Sequence, residues 1–582
     1  MRNLYTALAA TLMASAVATA QPAFVKGAQF APTAKNVALA KHSGILPMLH
    51  FGKRNAQGKQ LGPLRMKAAN SSETTPKAQF ITEQPQGTLH NNFYRSGESF
   101  AVMMGDIAQL PFDGVCGSVV VADDNKTVYF QNPIGAYYST SWIVGQRTEG
   151  DTIEVKLPQQ FVHEVYEDGN QDGYLYKLKP IKVSEDGYSY TTFVPDDDQT
   201  VKYVWRNDSL YLVNTVADSK LLGMCNANGE WYGFGDYVSL YEVFNQQATA
   251  PKDASKAQNM ALTFSESGQP YGRIKKVVKE GNDFFIAGLD ENMPNAWVKG
   301  TLADNKVTFS GHQYMGIDPQ TLCYTFFEPI AHKQEWFDYG DGEGDYYDNP
   351  VMLDKIEFSY DPATETLQSD STFYVNQGYK RLNQMYTYDA PTFTPWTEKA
   401  TTPMPADKEL IYYTPYNEEE GCGYYSFAPS EFDAEGYLLD TKQLYYTIYL
   451  DDEPMTFDPE DYPSLAQPTT EMPYQYSDLV DIVYYAGMFN IKTYITGFDR
   501  IGVQLIYKGG GEVRKSSIVY VNANSDEDPD GINEIGANGS KVVGTSYTDL
   551  SGRSVSRPTQ GVYIQTTRMA NGTLRSTKRI FK

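Results

Sequence analysis

Two stretches of this sequence decide its fold: Trp142-Ile143-Val144-Gly145 recurs as Trp297-Val298-Lys299-Gly300, 155 residues further along the chain. A tryptophan followed by a turn glycine suits a half-buried strand end that closes one face of a β-sheet. The flanking residues, which include a glutamine downstream of each tryptophan, match in the same order. The repeat therefore predicts two related β modules in which the repeated Trp and Gln residues pack the core rather than form a ligand platform. The flanking matches are Asn125 and 128–130 with Asn282 and 284–286, then Ile153, Val155 and Gln159 with Val307, Phe309 and Gln313.

The rest of the chain also predicts strands. From residue 81 onward, short β-type runs alternate with Gly, Asn, Asp and Pro. Residues 444–450 alternate between apolar and mixed positions, and residues 503–507 and 518–520 flank a Gly-rich turn at 508–512, which predicts a hairpin. The predicted fold class is therefore all-β: two related β modules, an immunoglobulin- or fibronectin-like sandwich and a small C-terminal β domain.

Changes in composition divide the chain into segments. Its 582 residues are too many for one hydrophobic core, and 41% hydrophobic residues are enough to fold several. The predicted segments are a signal peptide at 1–20, a flexible basic leader at 21–77, β module 1 at 78–250, β module 2 at 251–389, a Pro-rich linker at 390–406, the β-sandwich at 407–522, an acidic hinge at 523–536 and the C-terminal β domain at 537–582.

The charge is unevenly spread. The net charge is -24, and residues 78–536 hold 30 basic and 70 acidic residues between two basic ends. Such a body repels phosphate backbones and attracts divalent cations, which argues against a nucleic-acid partner. We interpret most of this charge as a well-solvated surface.

The N-terminus predicts export. Arg2 supplies a short positive region, residues 4–17 are mostly apolar, and Ala18-Thr19-Ala20 is a small-x-small cleavage site. No later window is long and apolar enough to suggest transmembrane insertion. Cys116, Cys225, Cys323 and Cys422 lie about 100 residues apart without CxxC spacing, and we expect buried free thiols rather than bridges.

The C-terminal tail carries a set of short motifs. Tyr547 precedes Gly552-Arg553-Ser554-Val555, residues 561–564 read Gly-Val-Tyr-Ile, and a Lys/Arg-bearing strand ends the chain. This tail resembles the C-terminal sorting domain of Bacteroidetes type IX secretion cargo. The resemblance implies passage across the outer membrane by the secretion machinery and removal of the tail or its exchange for a surface anchor.

Two further phrases carry a second resemblance. Residues 295–300 and 502–512 are similar to segments of uncharacterised secreted multi-module β proteins of Bacteroides and Prevotella. That resemblance implies location and modularity, but no activity. Together the two resemblances predict an exported protein of the extracellular space or the outer-membrane surface, with the periplasm as the fallback.

Calcium is the one cofactor that the sequence suggests. Asp168, Asn170 and Asp172 stand at positions 1, 3 and 5 of a calcium-loop pattern with Gly173 at position 6, but Lys179 replaces the Glu expected at position 12. A hairpin turn built from Asp, Asn and Gly is the alternative interpretation.

A second acidic cluster combines metal-ligating and aromatic residues. Asp341, Glu343 and Asp345 are its candidate metal ligands, and acids interleaved with aromatic rings could bind calcium or stack a sugar. An exposed acidic loop is the alternative. The cluster lies in module 2, at roughly the place that the calcium-loop pattern occupies in module 1. Its candidate ligand-binding residues are Trp336, Tyr339, Tyr346 and Tyr347.

The sequence contains no catalytic signature. No His pair has the i, i+4 spacing of a zinc helix, and there is no Gly-x-Ser-x-Gly elbow or phosphate-cradling loop. We therefore expect a binding protein rather than an enzyme, with an extracellular glycan or a host-surface polymer as its ligand. The alternatives are a polysaccharide- or peptide-degrading hydrolase with a site assembled from distant carboxylates, and a structural surface component.

Overall fold

A computed structural model describes most of residues 80–523 and the strands of the C-terminal tail. The predicted signal peptide, the leader and all of the acidic hinge except Ala523 lie outside the described residues. The short gaps within 80–523 are 104–105, 136–138, 149, 167–168, 186–187, 214, 216–219, 267–268, 339–343, 418–420, 479 and 486–487, and the described tail residues are 542–549, 554–555, 561–569 and 574–581.

The fold is all-β, as predicted. Among the described residues, helical structure is limited to three-residue 3-10 turns, and none of the helices there is both long and apolar enough to cross a membrane. The chain separates into two compact units. The first comprises Met1–Lys399 with Gly436–Asp440, and the second comprises Ala400–Glu435 with Thr441–Lys582.

The first half of unit 1 forms a single twelve-stranded antiparallel sheet, called module 1 below. Eight of its strands close into a ring, in the order β1-β2-β3-β4-β5-β9-β10-β12 with β12 pairing back onto β1, while β11, β7 and β6 continue from β12 and β8 pairs with β7. The strands are β1 (Thr88–Met103), β2 (Asp106–Val121), β3 (Thr127–Gln131), β4 (Trp142–Arg147), β5 (Thr152–Lys156), β6 (Gln159–Tyr166), β7 (Gly169–Glu185), β8 (Tyr188–Pro195), β9 (Thr200–Arg206), β10 (Ser209–Leu212), β11 (Leu221–Cys225) and β12 (Trp231–Val243).

The second half of unit 1, called module 2, repeats this topology strand for strand. Its order is β13-β14-β15-β16-β17-β21-β22-β24-β23-β19-β18, with β13 closing onto β24 and β20 pairing with β19. The repeated tryptophans begin the equivalent strands β4 and β16. The strands are β13 (Gln258–Glu266), β14 (Gln269–Glu280), β15 (Asp283–Ala287), β16 (Trp297–Ala303), β17 (Lys306–Ser310), β18 (Gln313–Ile317), β19 (Tyr324–Asp338), β20 (Gly344–Met352), β21 (Lys355–Asp361), β22 (Thr366–Gln368), β23 (Thr372–Gln377) and β24 (Gln384–Pro395).

Buried and exposed side chains alternate along the strands, which shows where the core lies. Along β21, Ile356, Phe358 and Tyr360 are buried and the residues between them are exposed, because successive side chains of a strand point to opposite faces. In module 1, Phe161 of β6 and Leu175 of β7 join the same buried cluster as the ring strands. The strands that extend the sheet therefore share one core with the closed ring.

A glutamine occupies the same position in each module. The side-chain amide of Gln159 accepts from the backbone N–H of Val144 at 2.8 Å and donates to its carbonyl at 2.7 Å. Gln313 makes the same two bonds to Lys299, at 2.8 and 2.9 Å. The repeated glutamine thus fastens the strand that begins at the repeated tryptophan.

The two modules pack against each other within unit 1. Tyr94 and Phe244 of module 1 cluster with Tyr324 and Phe326 of module 2. The buried carboxylate of Asp113 accepts the backbone N–H groups of Lys380 at 2.8 Å and Arg381 at 3.0 Å. The two repeats therefore belong to one compact unit.

The predicted linker at 390–406 is partly a strand. β24 runs to Pro395, and Thr392, Phe393 and Thr394 pair with β13. The next residue, Trp396, is buried and donates its indole N–H to the carbonyl of Leu438 at 2.8 Å. A proline lacks the N–H that a central strand needs, but the N–H groups of the residues between Pro391 and Pro395 can still pair.

Unit 2 contains a four-stranded sheet, β25-β26-β31-β30, and a six-stranded sheet built on β27 and β32. The ring of Phe427 lies 5.2 Å from that of Tyr446, so aromatic side chains of the two sheets pack together. β27 coincides with the predicted strand at 444–450, and β33 and β34 both pair with β32 after a turn at Gly509–Gly511. The strands are β25 (Ile411–Asn417), β26 (Cys422–Phe427), β27 (Leu444–Leu450), β28 (Glu453–Pro454), β29 (Met472–Pro473), β30 (Ile482–Tyr485), β31 (Met488–Thr493), β32 (Arg500–Tyr507), β33 (Arg514–Lys515) and β34 (Val519–Asn522).

The tail forms a four-stranded sheet in the order β36-β35-β37-β38. Tyr547 pairs with Val555, and the Gly-Val-Tyr-Ile segment begins the strand that pairs with the basic last strand. The backbone thus gathers the motif segments of the tail into one sheet. The strands are β35 (Val542–Asp549), β36 (Ser554–Val555), β37 (Gly561–Met569) and β38 (Leu574–Phe581).

The four cysteines are free thiols. Cys225, Cys323 and Cys422 are buried and Cys116 is partly buried. Burial raises the pKa of the Cys116 thiol to about 11 and that of Cys323 to about 12. Because the thiolate is the reactive form, neither side chain is suited to nucleophilic chemistry near neutral pH.

Candidate ligand-binding site

The calcium-loop pattern falls on the β6–β7 hairpin. Residues 169–172 of β7 pair with β6, and Gly169 lies opposite Tyr166. An extended strand differs from the curled loop that brings calcium-binding oxygens together. The hairpin turn is therefore the interpretation that agrees with the observed pairing. Asp168 lies outside the described residues, and Asn170 is described only through its backbone.

Asp172 is the one predicted ligand of this hairpin with a described side chain. Its Oδ1 lies 2.7 Å from His163 Nδ1 and accepts from Gln160 Nε2 at 3.0 Å. The carboxylate is thus engaged by protein partners on the neighbouring strand. Across the described residues, no group of three or more His, Cys, Asp or Glu side chains is placed to hold a metal ion.

The second predicted cluster falls on the β19–β20 hairpin. In the part of the chain that the structure describes, residues 331–338 pair with β20 alone, so this hairpin extends as an arm past the other strands. We call residues 332–338 and 344–350 the aromatic arm. Tyr339, Asp341 and Glu343 lie outside the described residues, and Asp345 pairs with Phe337 in the sheet but its side chain is not described.

Trp336 and Tyr346 form an exposed aromatic pair on this arm. They are cross-strand partners, and their ring centroids lie 5.1 Å apart at 67°, an edge-to-face contact. Trp336 is 51% exposed and Tyr346 is 71% exposed. Single exposed aromatic side chains are common, but two that are exposed and in mutual contact form a continuous apolar patch, so the pair is a candidate contact surface.

A polar row continues the same face of the arm. His332 and Gln334 precede Trp336 at two-residue steps, and Asp348 follows Tyr346 by two. Asp348 accepts from Gln334 Nε2 at 3.3 Å and contacts His332 Nδ1. Side chains two apart on a strand share a face, so the aromatic pair and these three hydrogen-bonding groups form one surface.

Tyr347 lies on the opposite face. Its hydroxyl donates to Glu335 at 3.0 Å, and partial burial together with the Glu335 carboxylate raises the pKa of Tyr347. The structure therefore divides the predicted aromatic group. Trp336 and Tyr346 come together, whereas Tyr347 supports the arm from behind.

The two candidate regions are not equivalent, contrary to the sequence interpretation. The calcium-loop pattern lies between β6 and β7, whereas the aromatic arm corresponds to the β7–β8 hairpin of module 1. Counted from the residue that pairs with the repeated glutamine, Ser184 and Ser189 of that hairpin are the cross-strand partners at the positions of Trp336 and Tyr346. The aromatic surface is therefore particular to module 2 and is not a requirement of the shared topology.

Sequence reasoning missed the contribution of His332 and Gln334. The two-residue spacing of His332, Gln334 and Trp336 could have indicated that they share a face. That inference requires knowing that residues 332–338 form one strand.

A separate cluster of titratable groups lies buried in module 2. Asp290 and Asp318 are 0% exposed and Lys275 is 6% exposed. Burial, reinforced by the Asp318 carboxylate, raises the pKa of Asp290 to about 6, and burial lowers that of Lys275 to about 8. Perturbed groups can indicate catalysis, but these side chains are closed to solvent and hence to a polymer substrate.

No protein-family model matches this chain, and no curated protein matches it. The chemistry of the exposed arm therefore carries the functional argument.

Proposed function

We propose that this protein is an exported, cell-surface or secreted binding protein that recognises a glycan through the aromatic arm. The single observation that carries the proposal is the exposed Trp336–Tyr346 pair continued by His332, Gln334 and Asp348 on one face. Aromatic rings stack on the apolar face of a sugar, and the polar groups bond its hydroxyls. A host-surface polymer with sugar side chains fits the same chemistry.

Export is the second part of the proposal. The signal-peptide pattern at 1–20 and the type IX-like motifs of the tail support it, as does the location of those motifs in one small sheet. In this view the tail engages the secretion machinery and unit 1 meets the ligand outside the cell. The proposal includes an immunoglobulin- or fibronectin-like sandwich fold for the two sheets of unit 2.

A glycan array probed with the mature chain, followed by titration calorimetry on the best hits, tests binding. Trp336→Ala and Tyr346→Ala should each weaken binding about tenfold or more, as aromatic anchors do at other interfaces. Tyr412→Ala is the matched control, because Tyr412 is 53% exposed and belongs to unit 2. Equal losses in all three variants, or no retained glycan, would contradict the proposal.

The same protein samples distinguish glycan binding from the two alternative functions, a hydrolase and a structural surface component. Release of reducing ends from a bound polysaccharide would favour a hydrolase. Retention on the cell surface without any ligand would favour a structural component. Export is tested by fractionating cells that express the full chain or a chain lacking 537–582, and secretion of the truncated chain at the normal level would refute the sorting role.

A further inference from the structure

The aromatic arm is strongly acidic. The hairpin that carries it, residues 330–352, contains six acidic residues and one basic residue, Lys333. The equivalent hairpin of module 1, residues 178–195, contains two acidic and two basic residues. Because the two hairpins share one topology, the acidity of the aromatic arm is not required by the fold and points to the ligand.

Two of these carboxylates flank the aromatic pair in the described part of the arm. Asp348 lies on the same face as Tyr346, and its side chain is 40% exposed. Glu335 precedes Trp336 and accepts from Tyr347 at 3.0 Å on the other face. Lys333 is the one Lys or Arg in the sequence of the arm, so its acidic residues outnumber its cations, and the net negative charge attracts cations and repels uronate or sulfate groups.

Aromatic rings add to this preference. The face of a Trp or Tyr ring is the negative end of its quadrupole and attracts an ammonium group placed over it. Trp336 and Tyr346 present such rings to solvent beside the carboxylates. A ligand that carries both a sugar ring and a cation satisfies the stacking surface and the charge together.

We propose that the aromatic arm takes a cationic glycan, a polymer of hexosamine units with free, protonated amino groups. This inference rests on the proposed glycan-binding function and names the class of sugar. The ring of the sugar contacts Trp336 and Tyr346, and its ammonium group lies near Asp348 and the ring faces. An N-acetylated or acidic polymer lacks one half of this recognition.

The test compares three probes on the full mature chain: a fully deacetylated chitosan hexamer, the corresponding chitin hexamer and an oligogalacturonate. We expect the chitosan hexamer to bind about tenfold more tightly than the chitin hexamer, as one cation–π contact and one partly exposed ion pair together allow. Raising the salt concentration should reduce that ratio. The oligogalacturonate should bind most weakly.

Variants assign the preference to the arm. Glu335→Gln combined with Asp348→Asn should reduce chitosan binding about three- to tenfold and leave chitin binding unchanged. The matched control, Glu365→Gln with Asp370→Asn, removes two exposed acids elsewhere on module 2 and should change neither. Equal affinity for chitosan and chitin would overturn this inference and leave glycan binding intact. Binding of no sugar would overturn both.

Discussion

The side-chain amide of Gln159 makes two hydrogen bonds to the backbone of Val144: it accepts from the N–H at 2.8 Å and donates to the carbonyl at 2.7 Å. Gln159 is 7% exposed, so replacing it leaves the N–H and the carbonyl of Val144 without their partner in a largely dry site. Gln159→Ala should lower the free energy of unfolding by about 1–3 kcal/mol. Denaturant titration of the full chain measures it. Gln146→Ala, at an exposed position of β4, is the control and should fall within about 0.5 kcal/mol of the wild type.

The stability of the contact between the two modules should depend on Asp113. Its Oδ2 accepts two backbone N–H groups from the 380–381 turn, and Asp113→Ala leaves those donors unpaired inside unit 1. The expected loss is about 2 kcal/mol or more of unfolding free energy. Faster hydrogen exchange at residues 378–381 would locate the effect. Unchanged hydrogen exchange at these residues would show that the contact between the modules does not depend on the Asp113 carboxylate.

Stability should depend on the protonation of Asp290. Its pKa is raised from 3.8 to about 6, so the folded state holds this proton more tightly than the unfolded chain. The free energy of unfolding should therefore fall as the pH rises from about 3.8 through about 6, and should level off about one pH unit higher, where the folded-state carboxyl has also lost its proton. The slope from one proton is at most about 1.4 kcal/mol per pH unit.

Asp290→Asn isolates that contribution, because other raised carboxyl pKa values, such as that of Glu328, affect both proteins equally. The stability difference between wild type and variant should change between about pH 4 and about pH 7 and be level above about pH 7. Denaturant titrations at half-unit steps measure it. A difference that is constant with pH would contradict the assignment.

Calcium should not stabilise the β6–β7 hairpin. Asp172 already accepts from Gln160 and contacts His163, and the strand pairing holds residues 169–172 extended. Addition of calcium or of a chelator should leave hydrogen exchange at 159–175 unchanged. Protection that appears only with calcium, and disappears in Asp172→Asn, would restore the calcium-loop interpretation.

The local pattern of apolar residues in the sequence was sufficient to predict an all-β structure. Alternating apolar residues predict strands wherever they occur, and 444–450 became β27 with Leu444, Tyr446 and Ile448 buried. The repeated Trp-φ-x-Gly phrase located equivalent strands in two sheets of identical order. These features need only neighbours along the chain and the period of two that a pleated strand imposes.

The pairing between distant strands could not be predicted in this way. Ring closure between β1 and β12, and the packing of Tyr94 against Tyr324, join residues more than 130 positions apart. Pro391 and Pro395 suggested a linker because a proline lacks an N–H, but the residues between them still pair with β13. Which N–H groups find a partner depends on what lies alongside the strand.

The amino-acid sequence by itself determined that this chain forms strands, that it contains a repeat and that it concentrates acids and aromatic rings between 335 and 348. Only the tertiary structure decided that Trp336 and Tyr346 share an exposed face with Asp348 while Tyr347 lies behind it. The physical reason is that a one-residue change of register moves every side chain to the opposite face of a strand. Register is set by pairing across the sheet and not by composition.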